Sequence, residues 1–552
     1  MNDFIRRAPR AQSLALPLVL ALSACGGGGD SAATSGELSN PPAATTLKVG
    51  GTAAVGAPMA QAAIAIACAT GTATATADAN GVYTVSITDG TLPCVITATS
   101  SDGQIELHSI APGTGQADTT ANVTPLSELL MAKLSGGDPK TFVSTFTATT
   151  TISAADVGAA QAALLTTLAA AGLDTTGVTD IVAGTISAGS GTGYDGVLDK
   201  LKTAMDGAGT TLADLTAAVS TTSGAGSDTS TSTVTTVLAP AASDCPGLKT
   251  GPLRVLAFDT QENELIQFDV AAMTAKAGGT TYTLTKNAAC DYTIADGSAT
   301  RVLVARSGLA VLLTGSGLNG VAGVAIPEQK LDVFALAGTY DRVQYGSTFD
   351  TEAGDFGTTV FAADGQNGLS VNCPLGYGKC ADDTQTKGKL VANAAGGFDY
   401  MEGGASQSRV FAFRNASGRN LLIAQAPDGT VVVLAAQDTL ALPAVGKVSS
   451  FWQFTANASG ISAVTADTNT VTAVDASTAT VTRQFPSDGH FDMLGFNAPF
   501  AGTRYRATNG CTSSTGGAFT CNGVVQLAFG GLVMSVSAVP TRHFMTVSID
   551  KP

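Results

Sequence analysis

From residue 244 to the last residue the chain is a succession of short runs in which apolar and polar side chains alternate. A period of two sends successive side chains to opposite faces of an extended strand, so such runs are satisfied only by sheets with at least one covered face. The pattern also returns on itself. Arg301-Val302-Leu303-Val304-Ala305-Arg306, followed by Ser307-Gly308 and an apolar run, is echoed by Arg409-Val410-Phe411-Ala412-Phe413-Arg414, followed by Ser417-Gly418 and another apolar run. The offset is 108 residues (409 against 301), and Gly338 and Gly446 keep it. A third, more degenerate copy ends the chain. There Val524 to Leu527 and Leu532 to Val536 echo the hairpin Leu421 to Ala435, whose turn is Pro427-Asp428-Gly429. A repeat of about 40–50 residues would indicate a propeller blade; this one is longer and suits a small barrel or sandwich. Three β modules are therefore expected, over residues 244–337, 338–445 and 446–552.

Upstream, the period changes twice. Residues 46–123 alternate with period two, in Ala62 to Cys68, Val82 to Ile87, Cys94 to Thr99 and Gln104 to Ile110. Asp78-Ala79-Asn80-Gly81 is a turn signal between two of these runs; it lacks the further carboxylates of a calcium loop. Residues 124–222 shift to helical spacing. Thr124 and Pro125 suit an N-cap and first helical position, Leu126, Leu129, Leu130 and Leu134 form a stripe, Asp138-Pro139 starts a second helix, and Ser153 to Asp156 resembles a capping box. Val197, Leu198, Leu201 and Met205 give a further stripe, expected to build core. Residues 223–243 are rich in Ser and Thr and read as a linker. The fold expected is mainly β: an N-terminal β-sandwich, a small α-helical segment, and a C-terminal repeat of β modules. Gly51 to Ile87, through Gly56-Ala57, Ala62 to Ile66 and the Asp78-x-x-Gly81-x-Tyr83 pattern, resembles the carboxypeptidase-regulatory-like (transthyretin-like) domain. The resemblance implies a seven- or eight-stranded sandwich that serves as a spacer, without catalytic residues of its own.

The N-terminus carries Arg6, Arg7 and Arg10 ahead of a short apolar run, Leu14 to Leu22. The run falls short of the roughly 20 apolar residues that span a bilayer, so it reads as an export signal. It ends Leu22-Ser23-Ala24-Cys25, which resembles the lipobox of bacterial lipoproteins. That resemblance implies a signal peptide over 1–24, cleavage after Ala24 and lipid attachment at Cys25, with residues 25–45, rich in Gly, Ser, Ala and Thr, as a flexible tether. Gly26 stands where Asp would direct retention in the inner membrane, which implies an outer-membrane lipoprotein, on the cell surface or the periplasmic face. Several acyl chains are needed because one anchors only marginally.

Cysteine use fits an exported chain. With Cys25 lipidated, eight remain, and an even number in an oxidising compartment reads as disulfides. Spacing favours local pairs: Cys68–Cys94, Cys245–Cys290, Cys373–Cys380 and Cys511–Cys521. No CxxC pair or neighbouring histidine points to a metal, and no cofactor is expected. Net charge is −15, and cleavage after Ala24, removing three Arg and one Asp, takes it to −17. An acidic chain without a basic patch is a poor match for nucleic acid.

No pattern announces catalysis. Gly-x-Ser-x-Gly, the P-loop and His-Glu-x-x-His are all absent. The three histidines, His108, His490 and His543, fall on separate segments, and the carboxylate pairs Glu262/Glu264 and Asp382/Asp383 read as loop charge. Phe451 and Trp452, on opposite faces of one strand, are candidates for stacking on a sugar. The function expected is that of a non-enzymatic, lipid-anchored envelope module. Its partners are the membrane through Cys25, and an envelope protein, a polysaccharide or a small apolar ligand. The alternatives are a lipocalin-like carrier, suggested by the opening Gly338-Thr339-Tyr340, and a polysaccharide or ester hydrolase.

Overall fold

The computed structural model describes residues 45–220, 228–258, 263–346, 356–373, 375–382, 388–539 and 543–552. The signal peptide, Cys25 and the tether up to residue 44 lie outside these, as do Glu262 and Asp383. The chain is mainly β.

Residues 46–120 form two facing sheets. One orders the strands Val82–Thr88, Thr46–Thr52 and Thr119–Thr120; the other orders Thr72–Thr76, Ala63–Thr70, Thr91–Thr99 and Glu106–Gly115. Val82–Thr88 buries every second residue, Tyr83, Val85 and Ile87, while its Thr and Ser face outward. These side chains share a core with Leu47, Val49, Ile64, Ile66 and Ile96. At the Asp78 turn, Oδ1 accepts from the backbone N–H of Asn80 and of Val82, both at 2.8 Å.

The strand Thr91–Thr99 is buried on both faces because helices cover the outer side of its sheet. Pro125–Ser135 is the central helix. Its Thr124 cap accepts from Ser127 N–H, and every residue from Pro125 to Ala132 is buried. Asp138 and Ser153 cap Pro139–Thr145 and Ala154–Ala170, and Gly193–Ala208 and Leu212–Ser220 follow. One helix runs against the sequence reading. Asp228–Leu238 occupies much of the stretch expected as a linker. Val234, Val237 and Leu238 are buried in the sandwich-and-helix core, and the hydroxyls of Thr233, Thr235 and Thr236 donate to carbonyls four residues back. The poor helix propensity of Ser and Thr is overridden by that burial.

The remaining strands are antiparallel meanders. From Gly251–Ala257 to Val321–Pro327, eight strands close into a barrel. From Gly338–Tyr345 to Val431–Ala436, nine strands form an open sheet, with an isolated bridge from Gln366, between Phe356–Phe361 and Val371–Asn372, to Lys389 on the edge strand Lys389–Ala392. From Val448–Asn457 to Phe544–Asp550, pairing runs through Thr465–Asp475, Thr480–Gln484, Phe491–Phe496, Thr503–Arg506, Val524–Phe529 and Leu532–Ser537, then back to Val448–Asn457. That closes a second eight-stranded circuit.

The middle sheet is apolar on both faces. Tyr340, Phe361, Phe398, Val410, Leu422 and Leu434 pack together on one side. Val343, Phe411, Phe413, Ile423 and Val433 join a core shared with both barrels. The strand Asn420–Gln425 is accordingly buried at every position. Rings meet across these joints: Phe258 with Phe454 at 6.2 Å and Phe413 with Phe529 at 6.3 Å between centroids. Backbone meets backbone where Gly317 and Ile461 exchange hydrogen bonds of 2.7 and 3.0 Å. Gly460, at φ +91°, is needed there, since a Cβ would stand 2.1 Å from the Gly317 carbonyl oxygen. Four disulfides are present, Cys68–Cys94, Cys245–Cys290, Cys373–Cys380 and Cys511–Cys521.

Candidate functional site: the chamber of the C-terminal barrel

Alternation along Val448–Asn457 divides its side chains between two very different environments. Trp452, Phe454 and Ala456 are buried against the rest of the molecule, with the Lys551 ammonium 5.7 Å from the Trp452 ring. Ser449, Phe451, Gln453 and Thr455 point the other way, into the barrel. The same division holds along the last three strands. Val525, Leu527, Met534, Val536, Met545, Val547 and Ile549 belong to the shared core, whereas Gln526, Ser535, Thr546 and Ser548 line the interior. The interior is mixed: beside these polar groups, Phe451, Val471, Val481, Phe485, Val524 and Phe529 also line it. The barrel bounds an open chamber of about 970 Å³.

The chamber is charged as well as polar. Arg483, Arg504 and Arg506 all reach it. Asp492, 1% exposed, lies between two of them. Arg483 donates to both of its oxygens, at 3.0 and 2.6 Å, and Arg506 donates to Oδ2 at 3.1 Å. Burial works against the Asp492 charge, but the two guanidinium groups prevail and hold its carboxyl below the ordinary value. Arg506 also donates from Nε and Nη2 to the Asn522 carbonyl. Arg504 has a different environment. Its guanidinium lies 5.7 Å from the Phe496 ring centre, its buried Nε has no hydrogen-bond partner, and no carboxylate among the described residues lies within ion-pairing distance of it. Burial and the neighbouring Arg483 lower its pKa to about 10, against the opposing pull of Asp550 and Asp492, which still leaves it protonated at neutral pH. Its register partner Gln526 donates to Ser535 at 3.1 Å, while Gln526 Oε1 has no donor.

At one edge of the chamber His490 stacks between Phe485 and Phe519, at 4.4 and 4.7 Å between ring centres, and its Nδ1 shares a hydrogen bond with Asp488. Phe519 is brought there by a small hairpin that carries Cys511 of the Cys511–Cys521 disulfide.

The chain matches no known family and no curated protein. Among solved structures, a protein of unknown function from the DUF3598 family of Nostoc punctiforme PCC 73102 is 7% identical, over 40% of this chain and 99% of its own, with a TM-score of 0.15. A transferrin binding protein B mutant from Haemophilus parasuis Hp5 is 8% identical, over 52% of this chain and 66% of its own, with a TM-score of 0.15. Intact Ap-TbpB, with its N and C lobes, is 10% identical over the same shares, with a TM-score of 0.14. At such scores the likeness carries no argument about this chain.

The residues singled out in the sequence fall in separate places. His108 is buried under the central helix, where its backbone N–H and Nδ1 contact the Glu128 carboxylate at 2.6 and 3.0 Å. His543 precedes the last strand, and only His490 reaches the chamber. Glu264 lines the mouth of the first barrel, a cavity of about 860 Å³ shared with Tyr282 and Asp296. Asp382 is exposed on a short strand. Trp452 is buried and Phe451 faces the chamber, so neither offers a sugar-stacking surface on the outside. Tyr340 does not open a hollow barrel. It lies in the filled core of the middle sheet, where its hydroxyl donates to the Leu336 carbonyl at 2.7 Å and accepts from Asn420 at 3.1 Å.

The sequence reading missed the three arginines and Asp492. The signal available was Thr503-Arg504-Tyr505-Arg506, two like charges with period two in a chain that is only 13% charged. On a strand, that spacing places both on one face.

Proposed function

We propose that this chain is a non-enzymatic, lipid-anchored protein of the cell envelope that binds a small hydrophilic ligand inside its C-terminal barrel. The observation that carries the reading is the polar chamber. Closed eight-stranded barrels either fill their interior with side chains or hold one small ligand, and a site of about 300–1,000 Å³ is of ligand size. Its guanidinium, amide and hydroxyl groups, set among apolar side chains, favour a ligand with polar groups over the small apolar ligand among the three partners expected from the sequence. The lipobox-like Leu22-Ser23-Ala24-Cys25 supports lipid attachment at Cys25 and an outer-membrane location, and the two-sheet N-terminal unit supports a regulatory-like spacer between anchor and barrels.

The test uses the mature full-length protein. It is mixed with a library of hydrophilic metabolites spanning neutral, cationic and anionic members, desalted, and weighed by native mass spectrometry. One compound retained at one per chain is expected. Ser548→Trp, which fills the chamber without replacing a charged group, should lose it. A parent protein that retains nothing from any charge class would overturn the reading.

A further inference from the structure

The chamber's charge is not balanced by its own residues. Three guanidinium groups, those of Arg483, Arg504 and Arg506, meet one buried carboxylate, Asp492, which is already committed to two of them. Asp467 and Asp550 also line the chamber, with Lys447 as a fourth cation. Asp550 and Lys447 are exposed at the end of their strand and in the loop before theirs, and Asp550 attracts Arg504 from beyond ion-pairing distance. Asp467 turns an oxygen back to the N–H of Thr468 at 2.8 Å. The sum is four cations against three carboxylates inside a chain whose overall charge is −15.

We propose that Arg504 is the anchor of an anion site, and that the chamber's ligand presents a carboxylate or phosphoryl oxyanion to its guanidinium. The inference rests on the chamber being a ligand site and goes on to name the ligand's chemistry. Two facing groups carry it. Arg504 keeps a buried N–H without an acceptor, and Gln526, its register partner on the next strand, keeps a carbonyl oxygen without a donor. A buried donor left unmade is costly, more so when it is charged. A planar guanidinium is matched in shape by a two-oxygen anion that accepts from it in a fork. Arg483 and Arg506 add long-range attraction without giving up Asp492, since charges in a confined low-dielectric cavity interact more strongly than in water.

Calorimetric titration of the mature full-length protein with inorganic phosphate, with malate and with the neutral succinamide tests this. Phosphate and malate separate the two oxyanion sources. Expected is binding of at least one anion at one per chain and none of succinamide, with affinity falling at least tenfold in Arg504→Gln. Retention of anion affinity in Arg504→Gln overturns the inference, as does binding of neutral or cationic library members with no anion bound; either result leaves the chamber standing as a ligand site. Binding of no compound in any class overturns both. Should Arg504→Gln fail to fold, Ser548→Trp decides: if it still binds the anion, the site lies outside the chamber and the inference falls.

Discussion

Two buried aspartates answer burial in opposite ways, and the difference lies in their partners. Asp492 is held ionised by Arg483 and Arg506, so its contribution to stability is present above the ordinary carboxylate pKa and is lost as pH falls through the lowered one. Asp341 is 1% exposed and accepts from Gln437 at 3.0 Å. Burial pushes its pKa up to about 7, against the opposing pull of Gln437 and Arg419. The folded state therefore keeps a proton that the unfolded chain releases at lower pH, and stability falls as pH rises between about 4 and 7. Asp341→Asn should remove that decline. Urea midpoints are expected to match the parent near pH 4 and exceed it at pH 8, and an unchanged pH slope would show that Asp341 is ionised in the fold.

At the scale of elements, the sheets are tied by cross-links that close loops of very different size. Cys245–Cys290 joins the short Cys245–Lys249 strand to the first barrel across 45 residues, and Cys373–Cys380 closes only seven. If cross-linking acts mainly on the unfolded chain, the longer loop contributes about 1.7 kcal/mol more, from 1.5RT times the logarithm of the length ratio. The paired change Cys245→Ser with Cys290→Ser should thus lower the unfolding free energy by about that much more than Cys373→Ser with Cys380→Ser. Denaturant titration under oxidising conditions measures both, and equal losses would place the effect in native packing instead. The Asp228–Leu238 helix makes a related point. Its Thr and Ser residues have little intrinsic preference for a helix, and it forms where Val234 and Leu238 find a core.

Across the whole molecule, the three C-terminal meanders share their outer walls. The middle sheet spends apolar residues on both faces, and the last three strands of the final barrel turn an apolar face towards the neighbouring modules and send Gln526, Ser535, Thr546 and Ser548 inward. Its hollow interior is thus a consequence of packing between modules. The proposed anchor acts at this scale too. An acidic chain gains no electrostatic attraction to anionic lipid, so attachment would rest on acyl chains at Cys25. Cys25→Ala should move the protein from the membrane to the soluble fraction after lysis, as followed by fractionation and immunoblotting, and a variant that stays with the membrane as the parent does would remove the lipid anchor from the proposal.

Local features determined much of this protein by themselves. Period-two runs specified a mainly β chain because side-chain alternation is a property of each strand alone. The caps at Thr124, Asp138 and Ser153 were legible because a cap is built from residues two or three apart. The 108-residue echo reflects a shared local contact: Asp291 pairs with Arg301 and Asp399 with Arg409 across adjacent strands. Alternation says that a strand has two faces without saying which face meets solvent, a core or a cavity. Only the tertiary structure decided that Trp452 turns outward into a shared wall, that Arg483, Arg504 and Arg506 turn inward together, and that Tyr340 sits in a filled core while the last barrel stays open. Those outcomes depend on which surfaces the neighbouring modules cover, and that information is spread over some 300 residues rather than written in any one strand.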